Sequence, residues 1–149
     1  MTVPCEMLLF MASRSQLAAD VIRPALEAGR IVVADRYLLA NVVYQGHAGG
    51  LDPEQLWNIG RQATGGLLPD LTLVLDLPIE KAAARRGRPA DHVESRADNY
   101  HQRVREGFLT EAQRHPDTIR VIDADQPVDA VHQLIRNEVS RVLAAGQGS

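Results

Sequence analysis

Four groups of residues in this chain have types and spacings suited to chemistry. The first is Asp35-Arg36-Tyr37, where an acid and a fixed cation follow the apolar run Ile31-Val32-Val33-Ala34. The planar fork of arginine can make two parallel charge-assisted hydrogen bonds, which suits a phosphate group. The alternative at this place is a strand-end ion pair of small energetic weight. The second group is Phe10 and Arg14. Four residues apart on a helix, they lie one above the other on one face. There a ring and a guanidinium can stack on a planar base and hydrogen-bond its exocyclic oxygen. On spacing alone, a core phenylalanine beside a solvated arginine is the commoner arrangement.

The third group is Asn41, Tyr44 and Gln45, in what reads as a polar, turn-prone loop closed by Gly46. Amides read base edges as donors and as acceptors, and a tyrosine can wall off a sugar. The same residue types are ordinary in loops. The fourth is the cluster Arg85, Arg86 and Arg88. Cations there could close over a polyphosphate during phosphoryl transfer, or could simply favour the C-terminus of the helix that carries them. His47, His92, His101, His115 and His132 show no paired ligand spacing and read as surface or structural, so no protein-built metal site is expected.

These groups need elements to hold them. Glu6 to Ala28 is a long helical segment, apolar at Leu9, Val21, Ile22, Ala25 and Leu26, with Gly29 as its left-handed terminator and a kink or break near Pro24. Ile31 to Asp35 reads as the first strand. Asp52-Pro53-Glu54-Gln55 is a helix start, for a helix running to about Ala63 or Thr64 and stopping at Gly65-Gly66. Leu71 to Asp76 is a second strand, again closing on aspartate, and Ile119 to Asp123 a third. Between them come a short helix from Ile79 to about Arg85, a basic mobile loop over 85–91, and a helix from about Arg96 to Arg114 that buries Tyr100, Val104 and Phe108. Pro127 opens a last helix to about Ala144, with Val128, Val131, Ile135 and Val142 facing inward. From Gly146 the chain reads as a frayed tail. Strands alternating with helices make the fold α/β with a parallel sheet. In such sheets ligands bind beyond the strand carboxyl ends.

Bulk properties bound the partners. The 149 residues, 45% hydrophobic and 23% charged, fit a single soluble domain spanning 1–149. A formal net charge of −3 argues against a nucleic-acid surface, and no apolar run reaches the ~18–20 residues of a membrane span. Cys5 is the only cysteine, and no signal-peptide pattern opens the chain, so the cytoplasm is the expected compartment.

Taken together, Glu6-Met7-Leu8-Leu9-Phe10-Met11-Ala12-Ser13-Arg14, Asp35-Arg36-Tyr37, Tyr44-Gln45-Gly46, Pro69-Asp70-Leu71-Thr72-Leu73-Val74-Leu75-Asp76 and Ile122-Asp123-Ala124 resemble, in order, the bacterial thymidylate kinase family, from about Glu6 to Val142. The resemblance implies a P-loop NTPase-like α/β fold and transfer of the ATP γ-phosphate to dTMP with Mg2+, giving dTDP. It implies that Phe10 stacks on thymine, that Arg14 hydrogen-bonds the thymine carbonyl, and that Asn41 and Gln45 meet the base edge. Tyr44 would pack on the deoxyribose and Arg36 bind the dTMP phosphate, with Asp35 near the phosphates and magnesium. Arg85, Arg86 and Arg88 would belong to a lid over about 85–95, and Asp123-Ala124 would lie beside adenine. The helix over 6–28 would be the homodimer interface.

The chain also departs from the family. Ala40 stands where relatives often carry serine, and His92 stands where a relative has arginine. No G-x-x-x-x-G-K-[ST] and no early Arg-Glu-Pro-Gly-Gly occur in the sequence, as though about sixty residues with the first strand and the phosphate-cradling loop were absent. The two strands flanking that first strand would then each face an empty slot or have to pair differently. Three readings follow: the acceptor-side portion of a thymidylate kinase, unable to turn over alone; a catalytically dead binding or dimerisation module; or another nucleoside monophosphate kinase. The Phe10/Arg14 pair with Tyr44-Gln45 favours thymidylate and places the third reading last.

Overall fold

A threonine and a proline start the first helix, α1 (Val3–Leu17). The Thr2 side chain accepts from the Cys5 N–H at 3.4 Å, and Pro4 occupies the first turn, where no donor is needed. The helix does not break at Pro24. It widens into a π turn over Ala18–Ile22, in which the Arg23 N–H reaches back five residues to the Ala18 carbonyl, and then continues as α2 (Arg23–Glu27). Pro24 lacks an N–H and its ring would strike the carbonyl four residues back, so the wider turn accommodates it. Gly29, at φ 71°, ends the helix, with Gly29 N–H to Leu26 at 2.9 Å and Arg30 N–H to Ala25 at 3.0 Å. This pair of bonds is a Schellman cap.

The computed structural model describes residues 1–86 and 94–146, with 83, 86 and 94–98 as backbone only. They fall into two compact units, 1–68 and 69–149. In the first unit the expected strand Ile31–Asp35 does not form. Residues 30–34 carry no regular structure, and Ile31 and Val33 are 72% and 92% exposed. A strand needs a neighbour for its ladder, and no described segment pairs with this one. The expected loop at 41–46 is also corrected. It is helix α3 (Leu38–Asn41) running into a second π turn over Val42–His47. Leu38, Leu39, Val42 and Val43 explain why: at helical spacing they put four apolar side chains into the core, which overrides the loop preference of the polar residues between them.

Helix α4 (Pro53–Ala63) begins with Asp52 accepting from the Glu54 N–H at 2.9 Å and ends at Gly65 and Gly66, both at positive φ. It packs against α1 and α3. A Cβ built on Gly60 would lie 2.0 Å from Leu38 Cδ1, so only glycine lets α4 approach α3 this closely.

The second unit holds the sheet. β1 (Thr72–Asp76) and β2 (Ile119–Asp123) pair in parallel, from Thr72 opposite Ile119 to Asp76 opposite Asp123. Helices α5 (Ile79–Arg86) and α6 (Glu94–Arg114) connect them, and α7 (Val128–Gly146) follows β2. α6 packs on both strands and α7 on β2, giving an α/β architecture with a small parallel sheet and flanking helices. Val104, Ala112, Ile119 and Ile122 are buried, while Tyr100 and Phe108 are only half-buried. Val128 does not face inward. It is 82% exposed, because at the first position of α7 its side chain tilts back off the face that Val131, Ile135 and Val142 half-bury.

Candidate functional site

Glu6, Phe10 and Arg14 recur every fourth residue along α1, and α3 with its π turn presents Asn41 and Gln45 four residues apart. The two sets meet in a chain of hydrogen bonds. Arg14 Nη2 donates to Asn41 Oδ1, Asn41 Nδ2 donates to Gln45 Oε1 at 3.1 Å, and Gln45 Nε2 donates to Glu6 Oε1 at 2.8 Å. Asn41 and Gln45 are buried, so these partners replace the water that both amides have lost. Glu6 escaped sequence reasoning, although its spacing to Phe10 and Arg14 could have revealed it.

Arg14 also lies over the Tyr37 ring, with its guanidinium carbon 4.9 Å from the centroid. Its Nε is buried without a hydrogen-bond partner in this structure. Burial pulls the Arg14 pKa below the ordinary arginine value, against the opposing influence of Tyr37. Burial pushes the Tyr37 phenol up, opposed by a hydrogen bond with Thr64 and by the cations of Arg14 and Arg23. The Tyr37 hydroxyl donates to the Leu67 carbonyl at 3.3 Å. Phe10 is 50% exposed on the same helix and is not a core residue. The arrangement is a donor-rich wall beside a half-exposed aromatic ring, which suits a planar ring carrying acceptor oxygens.

Asp35 and Arg36 lie on a bend before α3, both exposed, and no ion pair joins them. Arg36 is the only non-glycine residue at positive φ among the described residues, at 66°. Its guanidinium carbon lies 5.3 Å from the Tyr44 ring centroid. A left-handed arginine costs roughly 1–2 kcal/mol, and such strain gathers at functional sites. The exposed fork held over a ring is a ready anion contact. Ala40 lies in α3, half-buried.

The remaining residues singled out by sequence lie in the second unit. Arg85 is helical, and its Nη2 donates to the Ala124 carbonyl at 3.2 Å. The Ala124 N–H in turn donates to the Asp76 carbonyl at 2.8 Å, so both backbone groups of Ala124 are engaged. The Asp123 carboxylate accepts from the Asp125 N–H at 2.8 Å and from Gln126 Nε2 at 3.1 Å, and Lys81 pairs with Asp125. Arg86 belongs to α5 by its backbone, and Arg88 and His92 lie outside the described residues.

Sequence reasoning also missed Arg105. Its Nε and Nη2 donate to the two oxygens of Asp76 at 2.6 and 2.8 Å, and these bonds hold the Asp76 carboxyl below the usual carboxylate range. Among the described residues, no three His, Cys, Asp or Glu side chains converge to hold a metal ion, and no helix is long and apolar enough to cross a membrane.

The family model described as thymidylate kinase matches residues 1–135. The thymidylate kinase of Symbiobacterium thermophilum is 47% identical over 144 residues, covering 96% of this chain and 67% of that protein. That of Nitratidesulfovibrio vulgaris is 44% identical over 149 residues, covering 94% of this chain and 69% of the relative. That of Thermosynechococcus vestitus is 48% identical over 134 residues, covering 88% and 55%. Among the curated relatives it matches, the chain spans between 53% and 70% of their length.

Proposed function

The chain belongs to the thymidylate kinase family, and on that premise we propose that residues 6–45 form the acceptor side of a dTMP kinase, which transfers the ATP γ-phosphate to dTMP in nucleotide biosynthesis. The observation that carries this reading is the relay from Glu6 through the buried amides of Gln45 and Asn41 to Arg14, whose Nε is left unsatisfied, beside half-exposed Phe10. Phe10 stacks on the base, Arg14 donates to its carbonyl, and Asn41 and Gln45 meet its edge. Tyr44 packs on the deoxyribose, and Arg36 takes the phosphate through its exposed fork. Asp35 sits near the phosphates and magnesium, an ion held in such reactions by one or two carboxylates together with the substrate.

Arg85, Arg86 and Arg88 belong to a lid over about 85–95 that brings cations to the polyphosphate, and Asp123-Ala124 packs beside adenine. With the Ala124 N–H and carbonyl already engaged, that contact is one of packing.

We infer that these 149 residues do not turn over by themselves. Phosphoryl transfer rests on positioning and electrostatics, and the sequence holds neither a G-x-x-x-x-G-K-[ST] cradle nor any lysine besides Lys81. A second reading, a nucleotide-binding or dimerisation module without turnover, is favoured by the apolar side chains that the first helical segment exposes, Leu8, Leu9, Leu17 and Val21. In either reading this helix is the homodimer interface.

Calorimetry with dTMP tests the acceptor site: the chain binds, and Arg36→Ala weakens binding at least about tenfold. Equal heats from both proteins would remove Arg36 from the site. Assay with ATP and dTMP yields no dTDP from the chain alone, and turnover near that of a complete relative would overturn that inference.

A further inference from the structure

Two segments of this chain have the composition of interior strands and the surroundings of edges. A strand of a parallel sheet that is covered on both faces reads as a continuous apolar run. Ile31 to Ala34 and Leu71 to Leu75 both read that way, with Thr72 the only polar side chain among them. Ile31 and Val33 nevertheless stand in water without a ladder, and no side chain of β1 is buried, Leu75 being 53% exposed. The β1 backbone is also half-used. Thr72, Val74 and Asp76 turn their N–H and C=O groups to β2, so those of Leu73 and Leu75 point away from it, where no described residue meets them. An open apolar edge of this kind is a template for another strand.

The two segments match in charge. Arg30 and Arg36 bracket one apolar run, and Asp70 and Asp76 bracket the other at the same spacing. Laid side by side in full register, the runs set arginine against aspartate at both ends, whichever way the first one points. Either run paired in full register with a copy of itself would set like charges together at both ends. Opposite charges facing each other stabilise a strand pair, and like charges oppose it. Asp76 already holds Arg105, which leaves exposed Asp70 as the freer partner. We propose that residues 30–36 of one copy add as a strand to the open edge of β1 in a second copy of the chain. The backbone groups supply the attraction, and the bracketing charges set the register. Each copy offers one strand and one edge, so the contact is heterologous and joins copies head to tail. It is separate from the face of the first helical segment. In dilute solution both segments stand open, as they do in the structure, and pairing grows with concentration.

The test is sedimentation velocity over a concentration series, with melting temperatures to show that each variant folds. Val33→Lys puts a charge into the added strand. Leu75→Pro removes an N–H that faces the open edge and spares those bonded to β2. Each weakens the association of the unaltered chain at least about tenfold, leaving whatever the helix face supports. Mixed together, the two variants form a complex that neither forms alone, because one keeps the edge and the other keeps the strand. Asp70→Arg weakens association about threefold. That variant brings the net charge of −3 closer to zero, which would strengthen unspecific clustering instead. Val33 and Asp70 are exposed, so their variants decide the matter even where Leu75→Pro costs the fold. Amide exchange locates the contact: Leu73 and Leu75 gain protection as concentration rises, while Val74 is protected throughout. Association unchanged in folded Val33→Lys, a mixture of folded variants that recovers nothing, or tighter association of Asp70→Arg overturns the proposal. Each of these outcomes leaves dTMP binding standing.

Discussion

Ile31–Asp35 and Leu71–Asp76 are built alike, each an apolar run that closes on an aspartate after a helix or turn has delivered the chain to it. In the second, Thr72 to Asp76 lies in register with β2, and Asp76 is clamped by both nitrogens of the Arg105 fork. In the first, the backbone is irregular, Val33 is 92% exposed, and Asp35 is free of ion pairs. The side chains do not account for the difference, since valine and isoleucine are the better strand formers. The ladder does. A strand is a property of two segments, and an unpaired one leaves its N–H and C=O groups to water.

Proline substitution separates the two segments most sharply. Thr72 donates to the Thr118 carbonyl, and Asp76 accepts from the Ala124 N–H, so Val74, in phase with both, directs its N–H to β2. Val74→Pro therefore removes a ladder bond and leaves its acceptor unpaired, costing roughly 1–3 kcal/mol in urea unfolding. Val33→Pro, with no ladder to lose, stays within about 0.5 kcal/mol. Equal losses would mean that residues 31–35 are paired in solution.

The two aspartates give a smaller contrast. Asp76→Asn loses the bidentate pair with Arg105 and destabilises by about 1–2 kcal/mol at neutral pH, whereas Asp35→Asn leaves stability unchanged. The Asp76 carboxyl is held below its unfolded value, so its contribution is complete above the ordinary carboxylate range and disappears as acid carries the pH down through the lowered folded value. The gap between parent and Asp76→Asn should close in acid, and a gap that persists there would assign the loss to packing.

The smallest effect sharpens what the first segment is for. Arg36→Gly relieves the positive φ and raises stability by up to about 1 kcal/mol, less the entropy that glycine adds to the unfolded chain, while dTMP binding is lost. Binding that survives this substitution would mean that the strained arginine is not the phosphate contact.

What could be read from the sequence was whatever residues decide locally. Asp52-Pro53 and Gly65-Gly66 bracketed α4 because caps and positive-φ glycines act within a turn of themselves. β1 and β2 were legible because each is a continuous apolar run that finds its partner. Residues 31–35 misled because pairing is not a local quantity. The helix over 38–47 was hidden by Asn41, Gln45 and Gly46, residues typical of loops, although Leu38, Val42 and Val43 carried the helical pattern. Arg14, Asn41 and Gln45 stood out by type and spacing. The order in which they are bonded, and the carboxylate that ends the series, depend on α1 packing against α3. Arg105 was unreadable for the same reason, 29 residues from Asp76.

The π turn over Val42–His47 has a consequence for how this family can vary in length. An α-helix advances about 100° per residue, so a π turn amounts to a helix holding one residue in surplus. Asn41 lies at its mouth and Gln45 inside it, with the Ala48 N–H closing onto the Val43 carbonyl at 2.9 Å. A single-residue deletion after Gln45 would restore ordinary winding and keep both amides in phase, whereas one between Asn41 and Gln45 would swing them to different faces. Length variation among relatives is therefore expected on one side of Gln45 and not on the other.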